Sequence, residues 1–217
     1  MKDGAIIILA WPEGMVCAAG AWYDRIFAKK GKYRVGHSAL VLIDYTHKKS
    51  LYFDFGRYHT PKGYGRVRDA QTDSDLSVID PVIKKGKIIN LESILFNIYN
   101  IKSTHGEGKM YASICTEINF QKAFSISKNI QKRGIIRYGP FTLNGTNCSR
   151  FVSHIARTSI PSFVTKLRLT IPFCITPSPK RNVSIVNNNY FVVDEFNCKQ
   201  VHKSKIVSYF SSIESIW

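Results

Sequence analysis

Gly36-His37-Ser38-Ala39-Leu40-Val41-Leu42-Ile43-Asp44 is an apolar run of strand length that opens on a histidine, and Ser50-Leu51-Tyr52-Phe53-Asp54-Phe55-Gly56 follows it after the polar connection Tyr45 to Lys49. Two β-rich runs joined by a short polar link predict a β-hairpin. Asp54 is the carboxylate inside the second run, flanked by Phe53 and Phe55, and a carboxylate in that setting needs a donor partner. Which residue faces His37 depends on register, because a slip of one position exchanges the two faces.

Upstream, Ala5-Ile6-Ile7-Ile8-Leu9-Ala10-Trp11 reads as a buried strand. It is too short for a membrane span and ends at Pro12 instead of a small-residue cleavage site, so with no other targeting signal the expected compartment is the cytoplasm. Trp22 to Phe27 suggests a short helix or turn. Downstream of the hairpin, Gly56 to Gly65 reads as an ordered, glycine-rich loop of the kind that lines sites. Asn90 caps an expected helix to Tyr99, Lys109 to Ile118 has the pattern of a strand, and Asn119 opens a helix that ends before Gly134. Beyond Pro161 the chain reads as strands and turns, with Val183 to Val186 and Tyr190 to Val193 as candidate strands. The whole, residues 1–217, is expected to form one α+β domain in which an antiparallel sheet packs against helices and 161–217 is an elaboration.

The turn-rich stretch Tyr138 to Asn147 runs into Cys148-Ser149-Arg150-Phe151-Val152-Ser153-His154-Ile155. Asn147 or Thr146 can cap a helix there, and Cys148, Phe151, Val152 and Ile155 recur at helical spacing, which puts the thiol on the inward stripe. A helix start favours an anion by only about 0.3–1 kcal/mol, less than the 1.4 kcal/mol of one pKa unit. A thiolate therefore needs a cationic or basic partner. His154 is six residues along the helix, about 240° around its axis, and faces elsewhere. His47 falls among lysines in the hairpin turn, His105 lies between Thr104 and Gly106, and His202 sits in a polar tail. His37 differs, because it begins an apolar strand where a side chain can face a cleft. A thiol–imidazole pair needs a third polar group to fix the ring. Asp54 is preferred for that role, with His59 the alternative. Tyr58, Tyr138 and Asn147 are candidates to line the site or to donate to an oxyanion.

Composition narrows the chemistry. Five cysteines are scattered without the close spacing of zinc ligands, so neither a metal nor a disulfide framework is expected, and no cofactor motif is present. Cys115 and Cys174 read as buried and inert. The 31 Lys and Arg against 15 Asp and Glu, formally +16, would attract anions. These charges are spread in short groups with no nucleic-acid motif, so a solvated basic surface is expected, with no specific nucleic acid as partner.

The ordered combination of Gly36-His37-Ser38-Ala39-Leu40-Val41-Leu42-Ile43, a polar residue on the next strand, and Asn147-Cys148-Ser149-Arg150-Phe151-Val152 much later resembles the circularly permuted branch of the NlpC-type papain-like cysteine hydrolases, which includes lecithin:retinol acyltransferase-like proteins. The resemblance implies a papain-like fold with Cys148 as nucleophile, His37 as general base and Asp54 as the orienting residue. It implies a bacterial hydrolase or acyltransferase that acts on a small peptide, amide or ester through an acyl-enzyme. Ser149-Arg150 departs from the acyltransferase-like pattern and no hydrophobic anchor is present, which argues against a lipid substrate. The alternative is a non-catalytic module of the same fold whose basic surface holds an anionic polymer such as cell-wall material.

Overall fold

The computed structural model describes residues 3–17, 30–34, 36–142, 144–171 and 176–210. In chain order the strands are β1 (Gly4–Trp11), the ribbon β2 (Met15–Cys17) and β3 (Lys32–Arg34), the hairpin β4 (His37–Asp44) and β5 (Lys49–Gly56), β6 (Tyr64–Arg68), the short pair β7 (Ile83–Lys84) and β8 (Lys87–Ile88), β9 (Met110–Ile118), β10 (Ile136–Arg137), β11 (Asn189–Val193) and β12 (Cys198–His202). Six α-helices lie among the described residues: α1 (Leu91–Asn100), α2 (Phe120–Lys132), α3 (Cys148–Ser159), α4 (Phe163–Thr170), α5 (Pro179–Val186) and α6 (Lys205–Phe210).

One sheet of eight strands, ordered β10-β6-β5-β4-β1-β9-β11-β12, organises the molecule. Its named pairings are antiparallel. An antiparallel strand normally alternates apolar and polar residues, yet β1 is buried along its whole length. The reason is that both sheet faces are covered. Ile6, Ile8 and Ala10 join Leu40, Leu42, Phe53 and Phe55 under α2, α3 and α5, while Ile7, Leu9 and Trp11 join Ala39, Val41 and Tyr52 under α1. The continuous apolar run therefore marks a central strand.

The expected hairpin, first strand, 109–118 strand and the helices after Asn90, Asn119 and Asn147 all form. Asn119 and Asn147 cap with their side chains, whereas the Asn90 carboxamide accepts from the Val82 amide instead. The glycine-rich segment is shorter than expected, because Tyr64–Arg68 forms β6 against the hairpin. The C-terminal reading as strands and turns needs a larger correction: Tyr190–Val193 is a strand, but Val183–Val186 ends α5, and α4 and α6 are helical too. Ser178 caps α5 by accepting from Arg181, and Pro179 sits in its first turn, where a missing N–H and a fixed φ suit a helix. A proline taken as a breaker starts the element, and burial of Val183 and Ile185 overrides their β preference. Trp22 to Phe27 and Cys174 lie outside the described residues.

Gly36 delivers the chain into β4. Its φ is +64°, and a Cβ there would lie 2.6 Å from the Trp11 carbonyl oxygen and 2.9 Å from Pro12 Cα. Gly36→Ala should lower unfolding free energy by about 1–3 kcal/mol in a urea titration, from left-handed strain and backbone overlap together. An unchanged midpoint would contradict this geometry.

Candidate active site

The hairpin register decides which side chains meet. Ala39 lies opposite Asp54, and Asp54 lies opposite Arg68 on β6, so His37, Ala39, Asp54 and Arg68 share one face of the sheet. Asp54 is completely buried, and its carboxylate is saturated by donors. Arg68 Nε donates to Oδ1 at 3.0 Å and Nη2 to Oδ2 at 2.6 Å, a two-pronged grip. The Tyr52 hydroxyl donates to Oδ2 at 3.1 Å, and His37 Nε2 lies 3.3 Å from the same oxygen. Arg68 spends a further N–H on the Ser103 carbonyl at 3.0 Å. The ring of His37 is clamped as well, with Trp11 stacked on it at 5.7 Å and Tyr58 edge-on at 6.3 Å.

Because Nε2 is engaged by Asp54, Nδ1 is left for the thiol. Helix α3 packs on the opposite sheet face through Phe151, Val152 and Ile155, so its first residue meets His37 where β4 begins. Cys148 is buried, and His37, the Ser38 backbone N–H and the Tyr138 hydroxyl lie close enough to act on its thiol. Tyr138 is in turn stacked on Phe55 at 5.8 Å and covered by the Arg57 guanidinium at 5.4 Å.

These contacts set the protonation states. Burial alone would lower the His37 pKa, but hydrogen bonds to Asp54 and Cys148, with the charges of both, push it up to about 9. Burial pushes the Cys148 thiol up, yet the His37 hydrogen bond and charge, the Ser38 amide and the Tyr138 hydroxyl hold it below its ordinary value. Burial and then the thiolate charge keep the Tyr138 phenol protonated, so it donates. Burial also opposes ionisation of Asp54, but His37 and Arg68 keep its pKa low. The shifts favour the thiolate and imidazolium over the neutral pair, with Asp54 ionised beside the ring. This is the state from which a cysteine attacks carbonyl carbon.

Of the residues singled out from sequence, His37, Asp54, Cys148 and Tyr138 come together, and Tyr58 borders them. His59 does not join: it is exposed, with φ +51°, and Asp54 holds the ring instead. Asn147 is committed elsewhere, its carboxamide oxygen accepting from the Arg150 amide and its nitrogen donating to Thr176, so the oxyanion role once open to it is withdrawn. His154 is exposed on the far side of α3, and Cys115 is half-buried in β9. Arg68, Tyr52, Trp11 and His105 were not singled out. Arg68 also lies 3.3 Å from the Tyr58 ring centroid, and His105 stacks on Tyr58 at 5.0 Å. The buried carboxylate was the one signal that could have found Arg68, since it demanded a cation without saying where one lay.

Among the described residues no group of three His, Cys, Asp or Glu is placed to hold a metal ion, and no helix is long and apolar enough to cross a membrane. The molecule is thus an α+β protein with a large antiparallel sheet and a cysteine, histidine and aspartate aligned at one end of it. A family model described as type VI secretion system effector TseH-like matches residues 6–163, a span that contains all of these residues, and the chain belongs to that family. Among solved structures, the crystal structure of the type VI secretion system effector TseH has the same fold, with a TM-score of 0.62 at 20% identity over 92% of this chain and 98% of that one. No curated protein sequence matches.

Iodoacetamide alkylation of Cys148 followed against pH should report a thiolate that titrates below an ordinary cysteine. In His37→Ala that midpoint should rise by about one pH unit or more, tenfold less thiolate at neutral pH. An unshifted profile would remove His37 from the site. The same shifts enter stability. His37 lies above its ordinary 6.5, so its imidazolium contributes in full below 6.5 and the contribution is lost as pH rises through about 9. Arg68→Met, which strands a buried carboxylate, should cost about 3–5 kcal/mol by chemical denaturation. The double variant with Asp54→Asn should cost less than the two single losses added, and simple additivity would show that the pair is not coupled.

Proposed function

We propose that this TseH-like effector is a cysteine-dependent hydrolase or acyltransferase built on a circularly permuted NlpC-type papain-like fold. The observation that carries the reading is His37 held by Asp54 through Nε2, with the buried Cys148 thiol close enough to shift the pKa of the ring. The order along the chain, histidine strand before cysteine helix, is the reverse of unpermuted relatives and supports the permutation.

The Cys148 thiolate attacks the carbonyl carbon of a small peptide, amide or ester, and the carbonyl π electrons move to oxygen. The Cys148 backbone N–H, at the start of α3 and without an acceptor within the helix, is positioned to stabilise that oxyanion. Collapse of the tetrahedral adduct breaks the bond to the leaving group, which takes its proton from the His37 imidazolium. The neutral ring then removes a proton from water, or from another acceptor nucleophile, and the thioester is cleaved with release of the thiolate. Asp54 does not exchange protons in this cycle. Gripped by Arg68 and Tyr52, it orients the ring and stabilises its charged form. Family membership implies secretion, so we infer that the protein acts where it is delivered instead of in the cytoplasm that its sequence suggested.

A thiol-reactive acyl probe should label the wild type at Cys148, and Cys148→Ala should lose that label with its circular dichroism spectrum unchanged. Equal labelling of the variant through Cys115 or Cys198 would overturn the assignment of the nucleophile. An unreactive Cys148 would instead favour a binding module on the same scaffold.

A further inference from the structure

Helix α3 has a second, cationic face. Arg150, His154 and Arg157 recur at helical spacing on the side turned away from the sheet, and they line an open cavity of about 920 Å³ together with Arg133 from the end of α2. Ile136, Phe151 and Leu169 supply an apolar floor. No Asp or Glu lines the cavity among the described residues, and none of Cys148, His37 or Asp54 reaches it. It is therefore separate from the proposed catalytic centre, although the loop before Cys148 contributes Thr142 and Thr146 to its wall.

The charges in this cavity are uncompensated. Arg133, Arg150 and Arg157 make no ion pair among the described residues, and like charges spaced along one helix face repel. Arg150 places one N–H on the Thr142 carbonyl at 3.1 Å, which satisfies a donor but not the charge. Arg157 Nε is buried without a hydrogen-bond partner among the described residues. An unpaired buried donor costs free energy, and an anion beside the guanidinium would offset part of that cost. Partial desolvation by the cavity wall and then the Arg157 charge hold the otherwise exposed His154 below its ordinary pKa. Guanidinium forks match the oxygens of phosphate and carboxylate.

We propose that this cavity binds an anionic group, a phosphate or a carboxylate, carried on an apolar body that rests against Ile136, Phe151 and Leu169. Phenyl phosphate, benzoate and neutral phenol titrated calorimetrically into the full chain at constant ionic strength test the proposal. One or both anions should bind saturably and phenol should not, and the stronger of the two identifies the group. Arg157→Gln should weaken binding tenfold or more. Arg133→Gln, at an exposed position where folding is not at risk, should weaken it severalfold, while Lys122→Gln on the outer face of α2 should leave it unchanged. Absence of saturable binding by either anion, or equal weakening by Lys122→Gln, would overturn the site.

Discussion

A carboxylate ion sealed from water is the constraint around which the rest of this molecule is arranged. Asp54 has no exposed surface, and an uncompensated charge in such a place costs several kcal/mol even after the surroundings relax. Four contacts from three side chains answer it: two from Arg68, one from Tyr52 and one from His37. Each depends on hairpin register, since a one-residue slip of β5 against β4 or β6 would send the carboxylate into the opposite core among Phe53 and Phe55. The ion pair thus selects the register, and the register presents His37.

The two-faced sheet extends that constraint to the cysteine. Because β1 and β4 are buried on both sides, α3 can lie across one face and bring its N-terminus to the end of the strand whose other face carries His37. The thiol then meets an imidazole already oriented by Asp54 and clamped by Trp11 and Tyr58. Neither a helix start nor a lone histidine would ionise a buried thiol. Their combination lowers the thiol pKa, and Tyr138 and the Ser38 amide lower it further.

The chain belongs to the TseH-like effector family and shares its fold with TseH. The net charge of +16 gains a local meaning as well. Most of it is dispersed, but three arginines converge on one cavity along the back of the helix that carries the thiol. One helix therefore presents a buried thiol on its inner stripe and a cationic surface on its outer one.

Periodicity and local chemistry were enough to read the hairpin, the first strand, the capped helices at Asn119 and Asn147, and the pairing of His37 with Cys148, because each rests on residues close in sequence or on the elimination of other histidines. They left Asp54 and His59 both open, since choosing between them needs register, a property of two strands and not of one. They misread Val183 to Val186, where β-branched residues argue for a strand and only packing against the sheet and the Ser178-Pro179 start make a helix. Arg68 lay beyond them, because nothing near position 68 announces that a β6 strand will set its guanidinium against a carboxylate on β5. The sequence by itself determined which chemical groups the protein carries and the local elements that hold them. Only the tertiary structure decided which of those groups are buried together, and burial in company is what shifts a thiol and an imidazole toward their charged forms.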